Sequence, residues 1–456
     1  MSLNLRLLLL LVALGTTACS TMWPEYEKPQ IEVPAAPIKP LSLDRQWWKV
    51  FGDPVLDRLV AEALENNKDL AKAAAAVDEA LANAKSARAL LFPRVDGAAK
   101  LGSTKRQLTF GQAGDFEKIT STGSIGAGVS WEIDLWDRIR QTNDAALARY
   151  AASEHTRNAT SLSISSVVAE TWFQLRVLDA KLGITRDAAI NLKTVSNLEY
   201  RRWKADVGTE LAYRQSLAEF AATEARIPSI EAAVAKTELA LQLLVGRSPR
   251  AMAQTLQRGA DLQVPDTPKE VDPILLLRRP DVASAELLLV AAHADVNSAR
   301  AENYPRLTLS LLAGFIVSTS KVISGMPLFW DASAGLTGPI FDAGLVQSKV
   351  DGAEARKQKA LAHYQYTVSV AFRDAYEALV LLDTSDREVK SVEDEVKTRK
   401  QSMVLSEKSY DAGRSSKFEV LAETVKVLNA ELSLADARLS QLTARSQYFK
   451  ALGGGF

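Results

Sequence analysis

A chain of 456 residues with 55 basic and 55 acidic side chains has a formal net charge of zero. That balance argues against nucleic acid or an anionic surface as its main partner. Aromatics are 7% of the residues and alanine is abundant, the composition of long packed helices. A single cysteine excludes an internal disulfide.

The chain opens like a secretory signal over residues 1–18: Arg6, the apolar run Leu7 to Leu14, then small residues up to Ala18. The only cysteine, Cys19, falls at the cleavage position, as in a bacterial lipoprotein whose first mature residue is acylated. Thr16 stands where such signals commonly carry leucine. Ser20, rather than Asp, follows the cysteine and resembles sorting to the outer membrane. Residues 19–52 then read as a lipidated extended arm, with prolines 24, 29, 34, 37 and 40. Beyond the signal no apolar run approaches the ~20 residues of a membrane-spanning helix. A bilayer-crossing mature chain would therefore have to do so as a closed β-barrel.

From Asp53 a helix is expected, with Pro54 in its first turn and Val55, Leu56, Leu59, Val60, Ala63 and Leu64 at helical spacing. A second, alanine-rich helix covers about 68–91. Strands follow at about 94–110 and 120–136, the second alternating Ile125, Ala127, Val129, Trp131, Ile133 with polar or small residues. The segment between them, with Gly111, Gly114, Asp115 and Lys118, reads as a polar loop. A helix from about 137 to 206 has no proline or turn cluster; roughly 70 residues would span about 105 Å. Leu175, Leu178, Leu182, Thr185, Ala189 and Leu192 give it a coiled-coil seam. It turns at 206–209 and returns over about 210–245, with Pro228 as a kink. Its seam is Ile227, Ile230, Val234, Thr237, Leu241 and Leu244.

The prolines of 247–277 mark a linker between a first repeat (53–246) and a second (278–456). The second repeat has a helix ending at Tyr304, strands at about 306–319 and 329–342, a long helix to Asp411, a turn at 411–416, and a return helix. The return helix carries Phe418, Leu421, Val425, Leu428, Leu432, Ala435, Leu439, Leu442, Ser446 and Phe449 in 3-4 spacing.

The two halves are copies. Ser86-Ala87-Arg88-Ala89 and Phe92-Pro93-Arg94-Val95 recur as Ser298-Ala299-Arg300-Ala301 and Tyr304-Pro305-Arg306-Leu307. Further pairs, Trp136-Asp137 with Phe341-Asp342 and Asp206-Val207-Gly208 with Asp411-Ala412-Gly413, hold spacings of 205–212. Each proline ends a helix and biases the aromatic before it toward extended backbone.

Four strands cannot close a barrel, since the smallest membrane barrels use eight. An open sheet in lipid would leave edge groups unsatisfied. Several chains must then share one barrel, with helix hairpins projecting from one side; the number of chains is not fixed by this argument. The fold class expected is α+β, mostly long helices, built from a tandem-duplicated unit.

These features resemble the TolC-like outer-membrane efflux factors, lipoprotein branch of the tripartite RND efflux systems. The specific pieces are Trp47-Trp48 with Phe51-Gly52-Asp53-Pro54, Phe92-Pro93, Leu277-Arg278-Arg279-Pro280-Asp281, Tyr304-Pro305 and Ala451-Leu452-Gly453-Gly454-Gly455-Phe456. The resemblance implies a homotrimer: a 12-stranded outer-membrane β-barrel continuous with a 12-helix periplasmic α-barrel, ringed by a mixed equatorial collar. It also implies a periplasmic adaptor and an inner-membrane RND-type transporter as partners, and no cofactor beyond the N-terminal lipid.

The family places adaptor contact at the two turns, here Val207, Gly208, Thr209, Ala412, Gly413 and Arg414, with Gly208 and Gly413 as left-handed turn glycines. Its gate tyrosine falls on Tyr410 and one acidic ring position on Glu419. A second acidic position falls on Ala422, and the acidic partner on the other hairpin on Arg214. Gate candidates are therefore Tyr410, Asp411, Glu419, Arg214 and Asp206, with Arg214 expected to pair with Glu419 or Asp411. Trp131, Trp136, Phe329 and Trp330 suit either an interfacial belt or collar packing. Trp47 and Trp48 suit a core. No catalytic or metal site is expected: His155, His293 and His363 lack ligand spacing, and Gly123, Gly126 and Gly128 lie within a strand. An exit duct for a small-molecule efflux pump, an exit duct for protein or glycolipid secretion, and a lipid-anchored helical scaffold without a pore remain open.

Overall fold

The computed structural model describes residues 22–30, 45–109, 115–248, 264–267, 273–318 and 326–455. Cys19, the signal and much of the linker lie outside them. After a 3-10 turn at Trp47–Phe51 come α1 (Pro54–Asn66), α2 (Lys68–Ala89), β1 (Arg94–Thr109), β2 (Asp115–Ile133) and α3 (Arg138–Lys204). Then follow α4 (Glu210–Glu224), α5 (Ile227–Leu244), α6 (Pro273–Leu277), α7 (Pro280–Ala301), β3 (Arg306–Ser318), β4 (Leu328–Thr337), α8 (Leu345–Asp411) and α9 (Lys417–Ala451).

The duplication is finer than the sequence spacings suggest. Helices α2 and α7 have 22 residues each and start 212 positions apart. Helices α3 and α8 have 67 each and start 207 apart. The change from 212 to 207 falls inside the β-hairpins, the second being five residues shorter between Arg306 and Thr337 than the first between Arg94 and Ser130. Hairpin loops absorb such length changes because they lie outside the ladder.

One compact unit combines 77–153 and 285–364 with the N-terminal residues. It holds a four-stranded antiparallel sheet in the order β1-β2-β3-β4. Its first hairpin is tighter than the polar composition of 111–118 implies, because the backbone ladder runs on to Thr109↔Asp115. Strand β2 stops at Ile133 because the Asp134 carboxylate turns to accept the N–H groups of Ile139 (3.0 Å) and Arg140 (2.8 Å) at the start of α3. Strand β4 stops at Thr337, short of the expected 342, since Gly338-Pro339 follows and proline cannot donate to a ladder. Residues 22–30 have no regular structure and are tied down here: Trp23 Nε1 donates to Trp136 O at 2.9 Å and Lys28 pairs with Glu286 at 2.6 Å.

The other unit combines 32–76, 154–284 and 365–456. Its core gathers Trp47, Phe51, Trp172, Phe173 and Phe449, all buried. Trp47 stacks on Phe449 at 5.7 Å and Phe51 meets Phe173 at 4.8 Å, so Trp47 is a core anchor. Asp53 joins local and tertiary structure. Its Oδ1 caps α1 through Val55 N (2.8 Å), and its Oδ2 accepts Trp172 Nε1 at 2.8 Å. Arg279 donates to Ala451 O at 3.1 Å and pairs with Asp281 and Asp374, which joins the Leu-Arg-Arg-Pro-Asp segment to the end of α9.

The return helix of the first repeat is two helices rather than one kinked helix. It breaks at Ala225–Arg226, and Pro228, which has no N–H, takes a first-turn position in α5. The expected seams face inward. Leu175, Thr185, Ala189 and Leu192 of α3 are buried, as are Thr237 and Leu241 of α5 and Leu421, Leu428, Ala435, Leu442, Ser446 and Phe449 of α9. Phe418, at the first seam position of α9, stays 46% exposed.

Candidate functional site

Two features can serve transport: the sheet, and the pair of helix-to-helix turns. Across the sheet, neighbouring strands are in register so that side chains of one kind form rows. Val95, Val129, Leu311 and Ala332 lie side by side, and the next row holds Arg94, Ser130, Ser310 and Ser333. Because successive strand residues point to opposite faces, the sheet has one largely polar face and one apolar face, the latter giving way to Ser103, Lys105 and Ser121 at the far end of the first hairpin. The apolar face carries Leu101, Ile125, Leu309, Phe315, Leu328, Trp330 and Leu336, all exposed, with Leu101 at 91% and Trp330 at 72%. An exposed apolar surface of this extent marks a membrane or partner contact.

The four aromatics divide. Trp330 projects from the apolar face, and Phe329 points to the opposite one. Trp131 and Trp136 anchor the helix-to-strand junctions, donating to Leu91 O (3.0 Å) and Pro305 O (2.7 Å), and Trp136 also stacks on Tyr304 at 4.9 Å. Among the described residues no helix is long and apolar enough to cross a membrane.

The two turns are one motif written twice. In the first, Asp206 N donates to Trp203 O and Val207 N to Arg202 O. In the second, Gly413 N donates to Tyr410 O and Arg414 N to Ser409 O. The left-handed residues are Asp206 (φ 56°) and Gly413 (φ 70°). The expectation for Gly413 therefore holds, and the one for Gly208 is corrected: Gly208 has no positive φ. What requires glycine there is space, since a Cβ would lie 2.9 Å from Arg202 Cβ. Thr209 and Ser416 then open α4 and α9 as equivalent N-caps.

The gate candidates do not all meet as expected. Arg214 pairs with Glu210 at 3.2 Å within its own helix rather than with Glu419 or Asp411. The i,i+4 spacing offers a partner one turn away at little entropic cost. Glu419 reaches back to Ser416, 3.3 Å from its Oγ. Next to the turns, the hairpins are linked by a residue absent from the candidates: Arg202 Nη1 donates to the Tyr410 hydroxyl. The same nitrogen lies 3.6 Å from Glu199, a carboxylate only 4% exposed, and Lys417 Nζ sits 4.7 Å over the Tyr410 ring. Trp203, the structural counterpart of Tyr410, stacks on Tyr213 at 5.6 Å with Lys204 over its face at 4.0 Å. The available signal was an aromatic three residues before each left-handed position.

A sheet with one face for lipid, joined to long helices, fits a transport duct. Residues 59–247 and 273–454 match the family model described as outer membrane efflux protein. The chain belongs to that family. It is 32% identical to the pyoverdine export outer membrane protein OpmQ of Pseudomonas putida, over 100% of this chain and 98% of the relative. It is also 32% identical to outer membrane protein OprJ of Pseudomonas aeruginosa, over 98% and 95%. Among solved structures, the outer-membrane channel OprN aligns with TM-score 0.86 at 26% identity, covering 95% of this chain and 99% of that one. The Campylobacter jejuni CmeC outer membrane channel aligns with TM-score 0.89 at 24% identity, covering 96% and 95%, a likeness of fold. The protein is an outer-membrane channel component of an efflux system, with the tandem-duplicated, mostly helical fold of those channels.

Proposed function

We propose that three copies of this chain close their sheets into one barrel, and that the channel works as the passive exit duct of a tripartite pump. The observation that carries this reading is the two-faced sheet whose outer strands, β1 and β4, each pair on one side only among the described residues. In lipid such edges demand partners. The apolar face then meets lipid, and the row of Arg94, Ser130, Ser310 and Ser333 lines water. Cys19 supplies a lipid anchor in the outer membrane.

In this reading the turns form a periplasmic tip. Val207, Gly208, Thr209, Ala412, Gly413 and Arg414 contact a periplasmic adaptor, which connects the duct to an inner-membrane RND-type transporter. The transporter selects the solute and the duct conducts it. Arg202 with Tyr410, backed by Glu199, holds the tip shut, taking the role that sequence alone gave to Arg214. A charge-assisted bond to a hydroxyl at a part-buried site is stronger than an exposed ion pair. Planar-bilayer conductance of Arg202→Ala tests this: a several-fold rise over the unaltered channel is expected, and an unchanged conductance contradicts the gate.

A further inference from the structure

The water face of the sheet is not uniform, and the internal duplication shows where it departs from its polar character. We infer that Phe329 and Asp331, flanked by Leu312 and Ile316, form a weak binding site in the pore wall for aromatic organic cations in transit. This rests on the barrel reading, which turns that face toward water.

Alternation places all four side chains on the face that carries Ser310 and Ser333. Leu312 lies directly opposite Asp331, and Gly314 directly opposite Phe329. Leu312 and Ile316 are therefore the diagonal neighbours of Phe329, within reach of an aromatic ring. The next residue across from Gly314 is Gly126. Neither glycine has a side chain to hold a ring off the sheet, and Phe329 is half-buried while Leu312 stays 40% exposed. The result is an apolar patch beside one carboxylate.

The first hairpin supplies the comparison. The shifts of 212 and 207 positions that relate the two repeats turn Gly102↔Thr122 into Gly314↔Phe329 and Lys100↔Ser124 into Leu312↔Asp331, all of them observed pairs. Where the second hairpin has Leu312, Ile316, Phe329 and Asp331, the first has Lys100, Thr104, Thr122 and Ser124. The ladder is the same in both, so the backbone demands neither set. The two repeats differ in what they offer a solute: one patch is apolar and anionic, the other cationic and rich in hydroxyls.

Charge selects the ligand. The other carboxylates of this face are neutralised, Asp96 by Arg94 and Glu132 by Arg138, each at 2.8 Å. Asp331 is exposed and has no cationic partner among the described residues. It stands two residues from Phe329 on the same face, about 7 Å along the strand. A cation that bears an aromatic ring satisfies both at once, its charge shared by the carboxylate and the ring face and its own ring laid on Leu312 and Ile316. An inorganic cation lacks the apolar half, and an aromatic anion is repelled. Exposed contacts of these kinds are individually weak, which lets a solute leave as readily as it enters.

Thiol protection tests the site. Leu312→Cys puts a reporter opposite Asp331, Lys100→Cys is its counterpart in the first hairpin, and Leu311→Cys is its neighbour on the apolar face. The purified full-length lipoprotein in detergent is treated with a thiol-reactive trimethylammonium reagent, and the unaltered protein corrects for Cys19. The probe is benzyltrimethylammonium, compared with tetramethylammonium and benzenesulfonate.

Benzyltrimethylammonium should slow modification of Leu312→Cys and leave that of Lys100→Cys unaffected. The concentration that halves the rate should rise roughly three- to fivefold when Phe329→Leu or Asp331→Asn is added. Phe329→Trp, which keeps a ring, should hold it low, and the two comparison ions should protect several-fold less well. Equal protection by benzenesulfonate or of Lys100→Cys, protection left intact by Phe329→Leu or by Asp331→Asn, or no protection at all overturns the site. Leu311→Cys reacting as fast as Leu312→Cys overturns instead the assignment of faces that the barrel reading needs.

Discussion

Asp206 and Gly413 occupy equivalent places in two turns and share one left-handed backbone state, with φ of 56° and 70°. Glycine enters that state freely, whereas an aspartate is strained there by about 1 kcal/mol. Asp206→Gly should therefore tighten the first turn and Gly413→Ala should loosen the second, each by about 1 kcal/mol. Hydrogen exchange at the Val207 and Arg414 amides, which close the two turns, reads both changes. Protection should rise at Val207 in the first variant and fall at Arg414 in the second.

The Asp53 carboxylate serves two masters, the start of α1 and the buried indole of Trp172. Removing it as Asp53→Ala loses a cap worth about 1 kcal/mol and leaves an indole N–H unsatisfied at a further 1–3 kcal/mol. Trp172→Phe keeps the cap and removes the donor. A double-mutant cycle followed by thermal denaturation in detergent should give a coupling above about 0.5 kcal/mol; additive losses would mean the bond is energetically silent.

Glu170 is held above the ordinary carboxylate range because burial disfavours its charge, and this outweighs the hydrogen bonds from Ser166 and Ser446 and the nearby Lys450. The sign follows from linkage. The folded state holds this proton more tightly than the unfolded chain, so stability present below the usual glutamate pKa is lost as pH rises through the raised folded value. Glu170→Gln keeps an oxygen for the serines and removes that charge. It should flatten the fall in melting temperature over that window, and the two proteins should converge in acid.

At the tip, three substitutions should rank. Arg202→Ala leaves the buried Glu199 uncompensated as well as breaking the link, Tyr410→Phe breaks the link alone, and Arg214→Ala releases only an exposed pair with Glu210. Channel open probability should fall in that order, with Arg214→Ala at the level of the unaltered protein. A response from Arg214→Ala equal to that of Arg202→Ala would restore the pairing expected from sequence.

Much of this was legible in the chain itself. Proline-aromatic junctions, period-two strands and unbroken helical runs report local constraints that no tertiary context overrode, and repetition exposed the duplication. The misplacements have a common cause. Aligning Gly208 with Gly413 by residue type hides the true equivalence of Asp206 with Gly413, because a left-handed position can be filled by aspartate and a glycine can be demanded by a neighbouring Arg202 side chain instead. The Arg202–Tyr410 link was invisible for another reason. It joins residues 208 positions apart, and helical phase alone does not say which of several cations near a turn faces the other hairpin.

The most direct test of the two-faced sheet as a pore wall is single-channel recording with a thiol-reactive cation applied to one cysteine at a time, along two adjacent rows. Current should be blocked for cysteines at Ser130, Ser310 and Ser333 and persist unchanged for those at Val129, Leu311 and Ala332. Block without that alternation, or a purified protein that carries no current, would contradict the account.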